Sequence, residues 1–324
     1  MTLSAEDYLF KQVSISKGMP ASIQSVYAEK GGFVWVGTKK GLGRFDGYEL
    51  KMYTHDADNP YSLPGNEVYQ IVEDSLRNLW VLTDSDLVFY DKSSARFLKL
   101  SGNDGVKATT SCRWPGGMLF SSRAALFFYD YSTRQLKKVA DYGGWGSFVK
   151  EIVPWDDHTL LCLRLWEGLS LLDIRTGKMR PAPMEHSEGV TRILLDSQQR
   201  LWTTSYNKGV SCFDREGRLL ASYTTENSDL SHNIILCMSE HEGDIWMGTD
   251  GGGINILDPE TGWIRVLTYI PGDKNALPDN SIQSLYADAD NLWVGSVKGG
   301  LINIRRSFIR SYSDVPLNAN SGLS

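Results

Sequence analysis

Residues 22–56 read SIQSVYAEKGGFVWVGTKKGLGRFDGYELKMYTHD, residues 235–269 read ILCMSEHEGDIWMGTDGGGINILDPETGWIRVLTY, and residues 281–304 read SIQSLYADADNLWVGSVKGGLINI. Each stretch runs from an alternating segment through a turn into a segment opening on Trp, then through a Gly-rich turn into an apolar segment. The two longer copies add an Asp-led turn. Alternation of Ile23, Ser25 and Tyr27 with Gln24, Val26 and Ala28 is the period of a β-strand, and turns roughly every 8 to 12 residues imply short antiparallel strands. A single small sheet cannot bury both of its faces. Copies stacked radially around an axis can, and they leave only short, protected edges.

With the Trp as register mark, the units start their second strands at Trp35, Trp80, Trp202, Trp246 and Trp293. The 122 residues from Trp80 to Trp202 hold two further copies, marked by Leu119 (MLFSSRAALFFYD, 118–130) and Leu161 (LLCLRLWEGLSLLD, 160–173), so the intervals are 45, 39, 42, 41, 44 and 47 and the units number seven. Asp46, Asp91, Asp130, Asp173, Asp214 and Asp258 follow their marks by 11 or 12 residues. Each suits the first position of a tight turn, where its carboxylate accepts a hydrogen bond from the backbone two residues on. The seventh unit carries Arg305 instead, which places its last hairpin in question. The chain is therefore expected to be all-β, a seven-bladed β-propeller with four antiparallel strands per blade spanning residues 1–306. An N-terminal outer strand over residues 8–16 is expected to complete the last blade. Residues 307–324, containing FIRSYSD (308–314) and NANSGLS (318–324), read as a linker and first strand toward a second propeller. The recurring Trp is expected in the core between blades, with Gly37, Gly248 and Gly295 permitting close backbone approach.

The 324 residues carry 33 Lys and Arg against 39 Asp and Glu, a net charge of −6, with the cations scattered. Nucleic-acid affinity rests on clustered cations, so no nucleic-acid partner is expected. Cys112, Cys162, Cys212 and Cys237 lack the close spacing of a zinc or redox motif and read as buried free thiols. No run approaches the roughly 18 apolar residues of a membrane span, and MTLSAEDYLFKQ lacks the apolar centre of a signal peptide, so direct membrane insertion of these residues is not expected.

The patterns IxSVYxxxxGxxWVGTxxGLxRFDG and SLxxNxI resemble the two-component regulator propeller repeat of the extracytoplasmic sensors of Bacteroidetes hybrid histidine kinases. The resemblance spans essentially the whole chain, closest in units one, six and seven, and residues 10–68 resemble the start of such sensors. It implies a periplasmic sensor of an inner-membrane protein, two seven-bladed propellers followed by an Ig-like domain, a membrane helix and cytoplasmic kinase modules. It also implies an oligosaccharide stimulus and a homodimeric receptor. The family motif is structural, so the resemblance carries over no catalytic residue and no kinase activity.

Other chemistries find little support. His55, His158, His186, His232 and His241 fall in different units without metal-ligand spacing, and no P-loop, nucleophile elbow or zinc-protease motif occurs. Gly251–Gly253 read as a turn between strands. EDSLRNLW (73–80) and ADADNLW (287–293) resemble the Asp-box turn of sialidase propellers, itself structural. Glu67, Glu151 and Glu188 fall near blade openings, yet nothing marks them as the converging pair that glycoside hydrolysis needs. The expectation is a protein that is not an enzyme and that uses no cofactor and no metal. The rival readings are a protein-interaction propeller and a propeller glycosidase or polysaccharide lyase.

A ligand is expected at the channel mouth, where the loops leading into the innermost strands meet the turns between second and third strands. Sugar recognition uses flat aromatic surfaces beside fixed polar groups. Trp145 in the loop GGWG (143–146), Trp166 at the position of Gly251, Tyr206 and Lys208 in the fifth unit and Arg123 in the third depart from the repeat there, which makes them the candidate ligand-binding residues.

Overall fold

The computed structural model describes residues 8–13, 18–30, 32–100, 105–142, 148–184, 189–288 and 291–306. Among these residues are 28 strands in seven four-stranded antiparallel sheets and no helix. A lone strand, β1 (Tyr8–Val13), precedes the first blade. Blade one is β2 (Ser25–Ala28), β3 (Val34–Thr38), β4 (Gly41–Phe45) and β5 (Leu50–Tyr53). Blade two is β6 (Val68–Glu73), β7 (Leu79–Thr83), β8 (Leu87–Asp91) and β9 (Arg96–Lys99), and blade three is β10 (Ala108–Trp114), β11 (Gly117–Ser122), β12 (Ala125–Asp130) and β13 (Gln135–Asp141). Blade four is β14 (Val149–Pro154), β15 (Thr159–Arg164), β16 (Gly168–Asp173) and β17 (Lys178–Pro181). Blade five is β18 (Val190–Leu195), β19 (Leu201–Ser205), β20 (Val210–Phe213) and β21 (Leu219–Tyr223). Blade six is β22 (Ile235–His241), β23 (Asp244–Thr249), β24 (Ile254–Leu257) and β25 (Ile264–Leu267). Blade seven joins β26 (Ile282–Ala287), β27 (Leu292–Ser296) and β28 (Leu301–Arg306) to β1, which pairs with β28 from Tyr8↔Arg306 to Val13↔Leu301. The outer strand ends at Val13. Residues 14–16 and the expected linker 307–324 lie outside the described residues.

The core is a circle of seven apolar clusters, each joining one blade to the next. Trp35, Trp80, Trp202 and Trp246 are fully buried in four of them and Trp293 packs half-buried in a fifth. Leu119 and Leu161 take the same place in the clusters between blades three and four and between blades four and five. Close approach explains the Gly two residues after the mark. A Cβ on Gly37 would stand 2.8 Å from Val68 of the next blade, and one on Gly248 2.7 Å from Ile282.

An acidic residue before the second strand satisfies three of the four fully buried indoles, and Trp246 Nε1 has no such partner among the described residues. Trp80 Nε1–H donates to Asp74 (2.9 Å), Trp202 Nε1–H to Asp196 (2.9 Å) and Trp35 Nε1–H to Glu29 (2.7 Å). Asp74 also accepts from the backbone N–H of Leu76 and Asn78. The Asp-box-like turn is thus a structural clamp. Asn66, Asn233 and Asn280 play an equally local part, each accepting one backbone N–H at the start of its loop, from His55 (2.8 Å), Thr225 (2.9 Å) and Tyr269 (2.6 Å). The apolar residue three positions earlier, Leu63, Leu230 or Leu277, is buried as a plug.

All six Asp marks make the expected turn, accepting the N–H of the residue two ahead at 2.8 to 3.1 Å. At Arg305 there is no such hairpin, because β28 pairs with β1. Hydrogen bonds to the charged form hold these carboxyls low: Ser94 and Ser93 bring Asp91 to about 2, the Glu49 and Tyr48 N–H groups lower Asp46, and Ser132 lowers Asp130. A carboxyl lowered on folding contributes stability that is complete above its unfolded value of about 3.9. That stability is lost as pH falls through the folded value. These turns should therefore leave the thermal midpoint flat between about pH 7 and 5 and weaken it from about pH 4 toward 2. A pH series of melting curves checks this, and Asp91→Asn should flatten part of the acid limb.

All four cysteines are free thiols, each pushed up to about 12 chiefly by burial.

Candidate functional site

Six of the seven innermost strands carry a β-bulge near their start, as between Val149 and Glu151 on β14 and between Val190 and Arg192 on β18. A bulge adds one residue and re-aims its side chain. Tyr69, Thr109, Lys150 and Gln283 sit at these bulges and line an axial channel of 610 Å³ together with Gln24, Gln70, Glu151 and Arg192. Sheets that converge on an axis must present something to it, and here these polar side chains share the lining with apolar ones such as Val26, Ile71 and Leu285.

Charge is concentrated on the side of blades four and five. Glu151 accepts Arg192 Nη1–H at 2.6 Å and the Ile193 N–H at 2.9 Å, while Arg192 Nε–H donates to the Leu236 carbonyl at 2.6 Å. Lys150 Nζ donates to the Thr191 carbonyl at 2.6 Å. Burial, and then the neighbouring Arg192 charge, bring Lys150 down to about 8 against the opposing pull of Glu151. Toward the other end of the channel Glu73 pairs with Lys92 (3.0 Å) and Arg77 (3.2 Å), and Arg113 donates to the Glu73 carbonyl (2.7 Å).

Beside the mouth lies a second cavity of 600 Å³ lined by Tyr69, Asp84, Lys107, Thr109, Arg123 and Phe127, sharing Tyr69 and Thr109 with the channel. Arg123, from the β11–β12 turn, packs its guanidinium 5.4 Å from the Phe148 ring. Burial, then the negative charges of Glu67 and Asp84, raise the Tyr69 hydroxyl, with Arg123 opposing.

Of the five residues singled out in the sequence, Arg123 thus lines a cavity at the mouth. Trp166 occupies the β15–β16 turn at the place of Gly251: the Leu165 N–H binds the Phe148 carbonyl (2.9 Å) as the Asp250 N–H binds that of Ile234 (3.0 Å). Trp166 has φ +71° and is 93% exposed. Tyr206, in the β19–β20 turn, is 71% exposed, and the Lys208 N–H closes that turn on the Ser205 carbonyl (3.0 Å). Trp145 lies outside the described residues, as do His186 and Glu188. Glu67 meets the Gln24 amide at 3.4 Å. Glu151, seen in the sequence without a partner, is committed to Arg192. The channel residues Lys150, Arg192, Tyr69, Gln24, Gln70 and Gln283 were not foreseen. Their signal is faint in the sequence: where units one and seven read Gln-Ser after the first apolar residue, unit four reads Lys-Glu and unit five Thr-Arg. Among the described residues no group of three or more His, Cys, Asp or Glu could hold a metal, and no helix is long and apolar enough to cross a membrane.

Two segments, residues 62–85 and 276–298, match the model of the two component regulator propeller family. They cover the incoming loop and first two strands of blades two and seven, including the Asn clamps Asn66 and Asn280. No curated protein matches the chain. Among solved structures it is similar to the extracellular domain attributed to hybrid two-component system BT3049 of B. thetaiotaomicron (TM-score 0.75, 20% identity, covering 92% of this chain and 42% of that one). It is similar to that of system BT4673 from the same organism (TM-score 0.72, 20% identity, 92% and 42%). It is also similar to virginiamycin B lyase from Staphylococcus aureus (TM-score 0.69, 11% identity, 93% and 99%). The chain thus spans about two fifths of the two-component domains it matches. At these identities the likeness establishes a shared fold. The chain is a seven-bladed propeller, two segments of which match the two component regulator propeller model.

Proposed function

We propose that this propeller is a ligand-sensing module in the extracytoplasmic, periplasmic part of a hybrid two-component receptor, and that it binds an oligosaccharide at the channel mouth without cleaving it. The observation that carries this reading is Trp166. A bulky residue at positive φ costs roughly 1–2 kcal/mol, and a tryptophan left in water recovers none of it from the core. A rim position where blade six has Gly251, holding a strained and exposed indole beside the channel, suits stacking on a sugar face. Tyr206 and Lys208 on the next blade and Arg123 on the preceding one extend the rim, and Trp145 belongs with them by its place in the sequence. Each channel carboxylate is tied to a cation, Glu151 to Arg192 and Glu73 to Lys92 and Arg77, which disfavours acid–base work on a glycosidic bond. A sensor then reports occupancy by a rigid-body shift against a second propeller and an Ig-like domain within a homodimer, driven by the ligand's preference for one arrangement.

Trp166→Gly separates function from stability. It should stabilise the fold by about 0.5–1 kcal/mol, because the relieved strain exceeds the entropic cost of Gly. It should also weaken oligosaccharide binding by about tenfold. Calorimetry against glycan pools together with a melting curve reads both. An unchanged affinity would dismiss the rim as the binding surface.

A further inference from the structure

Lys150 and Arg192 bring two cations to one side of the channel, and the carboxylate beside them, Glu151, already accepts from Arg192 and from the Ile193 backbone. This cluster therefore carries one positive charge more than it balances, inside a protein whose net charge is −6. The Leu236 carbonyl fixes the guanidinium through Nε. Lys150 has, among the described residues, one hydrogen-bond partner for three N–H donors. Also lining the channel are the amide side chains of Gln24, Gln70 and Gln283. Withdrawing a cation from water without a partner is costly. A ligand bearing an anionic group would supply that partner, and its hydroxyls would meet amides in the same lining.

We propose that the channel is an anion subsite for an acidic oligosaccharide, whose carboxylate or sulfate seats between Lys150 and Arg192. This rests on the sugar-sensing reading above and adds the charge of the ligand to it. The charged groups that face Lys150 are Arg192 on β18 and Glu151 on its own strand; β10, packed on the other side, presents Thr109 and Thr110. Lys150 titrates near 8 in the free protein, and an anion beside it raises that value. Binding should then take up a fraction of a proton at pH 8 and almost none at pH 6.5.

The test is calorimetry on the 324-residue chain with size-matched oligosaccharide pools from polygalacturonate, a sulfated galactan and a neutral galactan, each in two buffers of different ionisation heat. The expected result is at least tenfold tighter binding of an acidic pool than of the neutral one, with proton uptake at pH 8. Preference for the uronate pool identifies a carboxylate ligand and preference for the sulfated pool a sulfate. Lys150→Gln should abolish the preference and the proton uptake, and Lys150→Arg should restore the preference without the uptake. Equal binding of acidic and neutral pools, unaltered by Lys150→Gln, would overturn the anion subsite and leave the sensing reading standing. Binding of none of the pools would overturn both.

Discussion

Trp80→Ala is expected to cost about 3–5 kcal/mol of folding stability, seen as an early unfolding midpoint in urea. Its indole is fully buried, with ring centroids 4.9 Å from Tyr129, 5.0 Å from Phe120 and 5.6 Å from Phe89, so one side chain joins its own blade to the next. Truncation opens a cavity at that joint and removes the donor that Asp74 accepts from. Trp80→Phe should recover most of the loss, because the aromatic packing survives and only the N–H is gone. Trp293→Ala should cost less than Trp80→Ala, since Trp293 is half-buried and its Nε1 has no partner. Equal losses at the two sites would refute the view that burial between blades, rather than the repeat motif as such, sets the value of each tryptophan.

Removing residues 1–13 is expected to destabilise the ring by at least about 3–6 kcal/mol, the burial of Tyr8 and Val13 alone accounting for that range. The strand contributes to two joints at once. Tyr8 packs edge-on against Trp246 at 5.5 Å and accepts Arg265 Nη1–H at 3.0 Å, whereas Val13 belongs to the cluster between blades seven and one. Its loss also bares the edge of β28, whose Leu301, Ile302 and Ile304 are fully buried in the intact protein. An uncovered apolar edge is a template for pairing with another chain, so the shortened protein should form oligomers on a sizing column. A monomer with an unshifted urea midpoint would show that ring closure does not depend on this strand.

Blades three and four show how far the repeat could be followed without its tryptophan. Ser122 Oγ binds the Ala125 carbonyl at 3.1 Å as Thr38 Oγ1 binds that of Gly41 at 2.9 Å, which puts Leu119 level with Trp35. The turn at Leu165 likewise aligns Leu161 with Trp246. Turn chemistry persists where the core residue drifts, because a hydrogen bond needs one atom in one place whereas an apolar contact tolerates many shapes. Trp166 stood out in the sequence for the opposite reason, because it departs from the Gly251 of blade six. Lys150 and Arg192 did not, since a polar residue in a half-buried strand is ordinary and Glu151 finds its partner 41 positions away.

Local rules written in the chain determined the strand period, the six Asp turns, the buried Trp register and hence seven units, because each depends on a few adjacent residues and elementary sterics. Only the closed ring decided which side chains turn inward. Bulges aim the axial residues, and seven separate strands must converge before Lys150, Glu151 and Arg192 share one channel in which their charges count. Electrostatics of that kind acts through space between residues remote in sequence, so no reading of neighbours along the chain contains it.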